Sequence, residues 1–215
     1  MVPPKGWALN DMSPRYRLFR LMMRSLGVLF LGFEVHGEEK ASEEGPLIVA
    51  ANHRRFFDPV FVSMAVPRRV RWMAKKELFA FPFGKLFCFL GTFPVDRQGG
   101  GRTAVRTAMR LLAEGRALGI FPEGTRRKEG VSPEAKSGAA LLAARSGAPV
   151  LPIFVDKIPG PAARLRGAKF HVYVGAPIFI DDTDRGREGY RRVADEFLHA
   201  IYTLPEKHGR RRSAG

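Results

Sequence analysis

The sequence predicts an α/β fold: a mixed, largely parallel sheet flanked by helices. From about residue 45 onward, short apolar runs alternate with longer helical patterns, the rhythm of strand–helix units. Polar clusters follow the apolar runs, as they do where parallel strands deliver chemistry to one edge of a sheet. At 215 residues and 45% hydrophobic content, the chain can bury one full core with a small appendage.

Taken in order, the amino terminus comes first. Between Arg15 and Phe30 the residues Arg17, Arg20 and Arg24 share one helical face, and Leu18, Phe19, Met22, Met23 and Leu26 share the other. The apolar run from Leu26 to Phe33 is closed by Arg24 and Glu34, and is shorter than the roughly 20 residues a membrane span needs. No small-residue cleavage site follows it, which argues against a signal peptide. A basic amphipathic helix leading into a short apolar one suits an interfacial membrane anchor. The plainer role is a pair of helices capping the core. Residues 1–35 are therefore read as a helical membrane-interface segment, 36–205 as the main domain and 206–215 as a basic tail.

Strands are expected at 47–50, 70–73, 92–95, 118–121, 149–155 and 169–174. Helices are expected at 59–65, 84–89, 102–114, 135–146 and 188–202. Asp58-Pro59 is a good helix start, with Asp as cap and Pro in the first turn. Three polar clusters follow expected strands: His53 and Asp58, then Asp96 and Arg97, then Glu123 to Arg126. Parallel strands would gather all three along one edge of the sheet.

His53 and Asp58 carry the sharpest chemistry. A carboxylate that holds one imidazole nitrogen leaves the other as a general base. No serine or cysteine in a recognised nucleophile motif accompanies them, so the base would activate a hydroxyl of the substrate. The ordinary alternative is an inert loop histidine beside a helix cap.

Other features bound the function. The formal net charge of +15 predicts attraction to polyanions: nucleic acid, an anionic membrane surface or phosphorylated substrates. The lone Cys88 forbids an internal disulfide and points to a reducing, intracellular setting. Gly99-Gly100-Gly101 fits only a relaxed dinucleotide pattern and reads as a turn. Arg102, Arg106 and Arg110 form an i, i+4, i+8 stripe, either a solvated face or one set against anionic lipid. Phe79, Phe81, Phe83, Phe87 and Phe89 belong either to the core or to an acyl-chain pocket. No P-loop, zinc-ligand or EF-hand pattern is present, so no metal site is expected. The basic residues are scattered and match no nucleic-acid-binding module, which leaves a basic nucleic-acid-binding protein as the distant alternative.

Four segments in fixed order resemble the glycerolipid acyltransferases, in particular the lysophosphatidic acid acyltransferases. They are Asn52-His53 through Asp58, Gly91-Thr92-Phe93-Pro94-Val95-Asp96-Arg97, Phe121-Pro122-Glu123-Gly124-Thr125-Arg126 and Val150-Leu151-Pro152-Ile153. Ala74 to Leu78, Lys136 to Ala139 and Val174 to Ile178 are also similar, so the resemblance covers roughly residues 45 to 180. Arg55, and Arg127-Lys128 after the third segment, depart from the common pattern and add positive charge.

The resemblance implies a fold like that of the glycerol-3-phosphate acyltransferases. It also implies transfer of an acyl chain from a thioester, on coenzyme A or acyl carrier protein, to the sn-2 hydroxyl of lysophosphatidic acid. His53 would be the base and Asp58 its orienter. Lys75, Arg97, Glu123, Gly124, Thr125 and Arg126 would serve the glycerol phosphate, and Pro152 would shape the cleft wall. Thioesters leave readily, so neither cofactor nor covalent enzyme intermediate is implied. The partners would be lysophospholipid, acyl thioester and an anionic membrane, with acyl carrier protein in the donor role as a further option. The location would be the cytoplasmic face of the cell membrane, peripheral or monotopic. Glycerol-3-phosphate or another lysophospholipid is the alternative acceptor.

Overall fold

The computed structural model describes residues 12–41, 44–80, 84–95, 101–126, 133–181 and 186–209. Helix α1 (Pro14–Leu31) starts where Ser13 Oγ accepts from the Tyr16 amide at 3.3 Å, with Pro14 in the first turn. Gly32, at φ 62°, stops it in the left-handed conformation that glycine tolerates. The chain then enters strand β1 (Phe33–His36). The expected second apolar helix is thus absent: residues 26–31 continue α1, and Gly32 redirects the chain into a strand.

Strand β2 (Leu47–Ala51), helix α2 (Asp58–Ala65), strand β3 (Val70–Lys75), helix α3 (Gly84–Phe89) and strand β4 (Thr92–Val95) come next. Helix α4 (Arg102–Ala113), strand β5 (Ala117–Ile120), helix α5 (Gly138–Ser146) and strand β6 (Val150–Val155) follow. A short α6 (Pro161–Leu165), strand β7 (Phe170–Val174) and the long α7 (Arg187–Lys207) complete the series. All expected strands and main-domain helices occur within a few residues of their predicted bounds; β1 and α6 were not expected.

The strands form one sheet in the order β1-β7-β6-β2-β5-β3-β4. The five strands from β6 to β4 run parallel, β7 is antiparallel to β6, and β1 is parallel to β7. The sheet is therefore mixed and largely parallel. Central β2 is wholly buried, as expected of a strand covered on both faces. One apolar cluster joins Ile48, Ala50 and Leu118 to α4, α5 and α7, while the other joins Val49, Val62 and Phe170 to α2, with Met23 and Leu31 of α1 packed on it.

The orientation of α1 inverts the simple amphipathic picture. Arg20 and Arg24 turn towards the domain, while Arg15 and Arg17 stay exposed: Arg24 Nη1 and Nη2 donate to both oxygens of Glu38 at 2.6 and 2.7 Å. Arg20 Nη2 donates to Glu38 Oε1 at 3.1 Å and to the Met64 carbonyl at 2.9 Å. Leu18, Leu21, Met22, Leu26, Val28, Leu29 and Phe30 face outward and are exposed. Among the described residues no helix is long and apolar enough to cross a membrane.

Partial burial raises the Glu38 pKa, but the hydrogen bonds and charges of Arg24 and Arg20 outweigh it and hold the carboxyl below its usual 4.5. The pairing therefore stabilises the fold fully above that value and is lost as pH falls through the lower, folded-state value. Glu38→Gln is expected to cost about 1 kcal/mol at neutral pH. In chemical denaturation, the difference from wild type should shrink on acidification.

Candidate active site

The carboxyl ends of β2, β3, β4, β5 and β6 share one edge of the sheet, and the candidate residues follow from that edge. Asn52 leaves β2 fully buried and extends its pairing with β6. Its Nδ2 donates to the Val155 carbonyl at 2.9 Å, and its Oδ1 accepts from the Val155 amide at 2.6 Å. His53 therefore departs from a fixed point.

Asp58 does not cap its helix; that position falls to Phe57. Its buried carboxylate turns back, and Oδ2 accepts from the amides of Arg54 and Arg55, both at 2.6 Å. The same oxygen lies 3.1 Å from His53 Nδ1. One atom thus closes the loop and holds the ring.

A column of flat groups fixes the ring plane. His53 stacks on Phe121 with centroids 3.9 Å apart and planes at 13°, and Phe121 stacks on Trp72 at 4.8 Å and 20°. Trp72 Nε1 donates to Ser63 Oγ at 3.1 Å, and Ser63 Oγ donates to the Pro59 carbonyl at 2.7 Å. The circuit returns to the residue beside Asp58. Gly119 makes room for it, because a Cβ there would lie 2.5 Å from the indole ring.

His53 opens into a cavity of about 1270 Å³. This exceeds the roughly 300–1,000 Å³ of ordinary small-molecule sites. Phe19 and Met23 of α1, Val60 and Met64 of α2, and Leu86 and Phe87 of α3 line its apolar part. Gly124, Thr125 and Arg126 line it as well, so the structure brings them together with His53. Of the phenylalanine series, Phe87 belongs to the cavity wall, while 81 and 83 lie outside the described residues.

Glu123 is placed differently. It is buried and turned to α7, where Tyr202 Oη donates to its Oε1 at 2.6 Å. Its Oε2 is buried without a hydrogen-bond partner among the described residues. Lys75 closes β3 in register with Val95. Asp96 and Arg97 lie outside the described residues. Pro152 sits buried within β6 against Gly175, away from the cavity lining.

Sequence reasoning assigned no role to Asn52, Ser63, Trp72, Lys136 or Tyr202. Gly124 adopts φ 72°, and a Cβ there would lie 2.6 Å from Lys136 Cδ, so this lysine covers the loop that carries Arg126. A glycine two positions before Phe121 in an expected strand was the available signal for the indole beneath it.

The sequence profile of the acyltransferase family matches residues 32–156, more than half of the chain, and the chain belongs to that family. A 1-acyl-sn-glycerol-3-phosphate acyltransferase of Bacillus subtilis (strain 168) is 30% identical over 153 residues, covering 70% of this chain and 76% of that one. Its counterpart in Streptococcus pneumoniae (strain ATCC BAA-255 / R6) is 31% identical over 201 residues, covering 89% and 75%. The crystal structure of the 1-acyl-sn-glycerophosphate (LPA) acyltransferase PlsC from Thermotoga maritima shares the fold. Its TM-score is 0.62 at 22% identity, covering 94% of this chain and 86% of that one.

Gly119→Ala forces the indole off Phe121. The expected cost is about 1–3 kcal/mol, as for other overpacked interiors, measured by chemical denaturation. Acyl transfer should fall further than the loss of folded protein explains.

Proposed function

We propose that this acyltransferase acylates the sn-2 hydroxyl of lysophosphatidic acid from an acyl thioester, giving phosphatidic acid. The observation that carries the reading is the shared cavity: His53 and Arg126 line the same large, mainly apolar space. The names of the Bacillus and Streptococcus relatives support the acceptor.

A carboxylate only accepts hydrogen bonds, so the proton between Asp58 and His53 belongs to Nδ1, leaving Nε2 as the base. Nε2 takes the proton of the glycerol hydroxyl as its oxygen attacks the thioester carbonyl. The tetrahedral adduct then expels the thiolate, which receives that proton from His53. An ester C–O bond forms, a C–S bond breaks, and the enzyme returns to its starting state. Nothing in this cycle calls for a cofactor. Arg126, with Thr125 and the Gly124 backbone, receives the phosphate, since a guanidinium matches two phosphate oxygens at once. Lys75 and Arg97 retain the same assignment on the sequence resemblance. Glu123 acts from behind, as a support of the loop through Tyr202.

His53→Ala should lower kcat by about 10²–10⁴. Arg126→Ala should raise KM for lysophosphatidic acid about tenfold or more while leaving KM for the acyl thioester unchanged. Steady-state assays with lysophosphatidic acid and glycerol-3-phosphate as parallel acceptors check both. A preference for glycerol-3-phosphate would overturn the acceptor assignment.

The outward apolar face of α1 supports a peripheral or monotopic seat on the cytoplasmic face of the membrane, where both substrates reside. The net charge of +15 favours an anionic surface. Leu21→Asp combined with Leu29→Asp should abolish co-sedimentation with phosphatidylglycerol-containing vesicles. Turnover of a short-chain, water-soluble acceptor should persist.

A further inference from the structure

The sheet edge farthest from β4 carries a second cluster of chemically able side chains. Glu34 and His36 alternate along β1 and so project from the same face. His171 of β7 lies in register with Glu34, and Tyr173 in register with His36. The four side chains therefore form one patch, two to three strands from β2. Because β1 and β7 run against β2, the carboxyl end of β1 points away from the His53 edge.

The distances are those of a ligand set. His36 Nε2 lies 3.0 Å from His171 Nδ1, and His171 Nδ1 lies 3.5 Å from Glu34 Oε2. One donor atom from each of the three residues fits within 4.8 Å of the others. Around a tetrahedral zinc ion with bonds of about 2.0–2.1 Å, neighbouring donors stand about 3.3 Å apart. The two contacts through His171 bracket that spacing, and the third pair, Glu34 with His36, lies within 4.8 Å, so side-chain rotation towards a shared centre would complete the set.

We propose that Glu34, His36 and His171 form a binding site for a divalent transition-metal ion, zinc above all, that fastens edge strand β1 to β7. Two imidazoles and one carboxylate favour zinc and its neighbours over magnesium or calcium, which prefer oxygen donors. The surroundings hold the ligands in place. Lys169 bonds Glu34 Oε1 and leaves Oε2 to the ion, at the cost of a nearby positive charge. Tyr173 stacks on His36 with centroids 4.9 Å apart and planes at 15°. The His208 ring, from the end of α7, has its centroid 5.9 Å from that of His36. Partial burial, and after it His171 and His208, lowers the His36 pKa from its usual 6.5, which favours the neutral, metal-binding form. The fourth position is left to water. Because α1 leads directly into β1, the ion would also secure the helix that walls the cavity.

The test uses the full chain, stripped with chelator and titrated with zinc chloride by calorimetry, with cobalt(II) absorption reporting the coordination geometry. One zinc per chain, a tetrahedral cobalt spectrum and a zinc-dependent rise in Tm are expected. His36→Ala and His171→Ala should each weaken binding at least about tenfold and abolish the Tm rise. Glu34→Gln, a milder change on the exposed edge, should weaken it as well. Acyl transfer by the variants reports that they are folded, since none of these residues lines the cavity. No saturable binding by wild type, or equal binding by wild type and all three variants, would overturn the site.

Discussion

Oxygen Oδ2 of Asp58 is the point on which the rest of the site turns. It gathers the amides of Arg54 and Arg55 and faces the imidazole of His53, three donors on one buried acceptor. Hydrogen bonds to an ionised group contribute more than neutral ones, and unmet buried donors cost more still. The loop between β2 and α2 therefore has little freedom to rearrange while that oxygen stays charged. The structural role and the proposed catalytic role are the same interaction: the carboxylate that closes the turn is the one that orients the base. The carboxylate is therefore used on the loop and the ring and not as a helix cap, and of the Asp58-Pro59 helix start only Pro59, in the first turn, keeps that role.

A single hydrogen bond leaves a ring free to rotate about it, and the aromatic column supplies the missing restraint. Stacked rings contribute about 0.5–1.5 kcal/mol each beyond the area they bury. Here Phe121 and Trp72 extend the stack from β5 to β3, with Gly119 vacating the space for the indole. The ring plane of His53 is thus tied to the relative positions of three adjacent parallel strands. Sheet packing, which serves stability everywhere else, sets the direction of Nε2 here.

Legibility in the sequence followed the range of the interactions. β2 and β6 announce themselves because strands buried on both faces are almost wholly apolar. His53, Asp58, Gly124, Thr125 and Arg126 sit in loops that follow such strands, so their convergence could be anticipated. β1 could not be: Phe33–His36 has one buried residue in four and pairs with the distant Phe170–Tyr173. The same separation hid the Glu34, His36 and His171 cluster. Glu123 looked like a substrate ligand because its partner, Tyr202, lies 79 residues downstream on α7. The single residue Gly32 ended a helix that apolar content alone would have prolonged.

The inverted α1 ties these elements together. An exposed helix in water ordinarily hides its apolar face and shows its charges. Here Arg20 and Arg24 are spent on Glu38 and on carbonyls of α2, while seven large apolar side chains stand outside. Burial of one such side chain is worth about 1.5–3 kcal/mol, so leaving seven in water forgoes more than the inward ion pairs return. An apolar cover on the outer face, as in the proposed membrane seat, would recover that loss. The inner face of the same helix walls the cavity through Tyr16, Phe19, Arg20 and Met23. In that proposal, a lipid surface on one side and the His53 cavity on the other would be separated by the thickness of one helix, about 10–12 Å. A substrate leaving the membrane would meet His53 without its chain crossing open water.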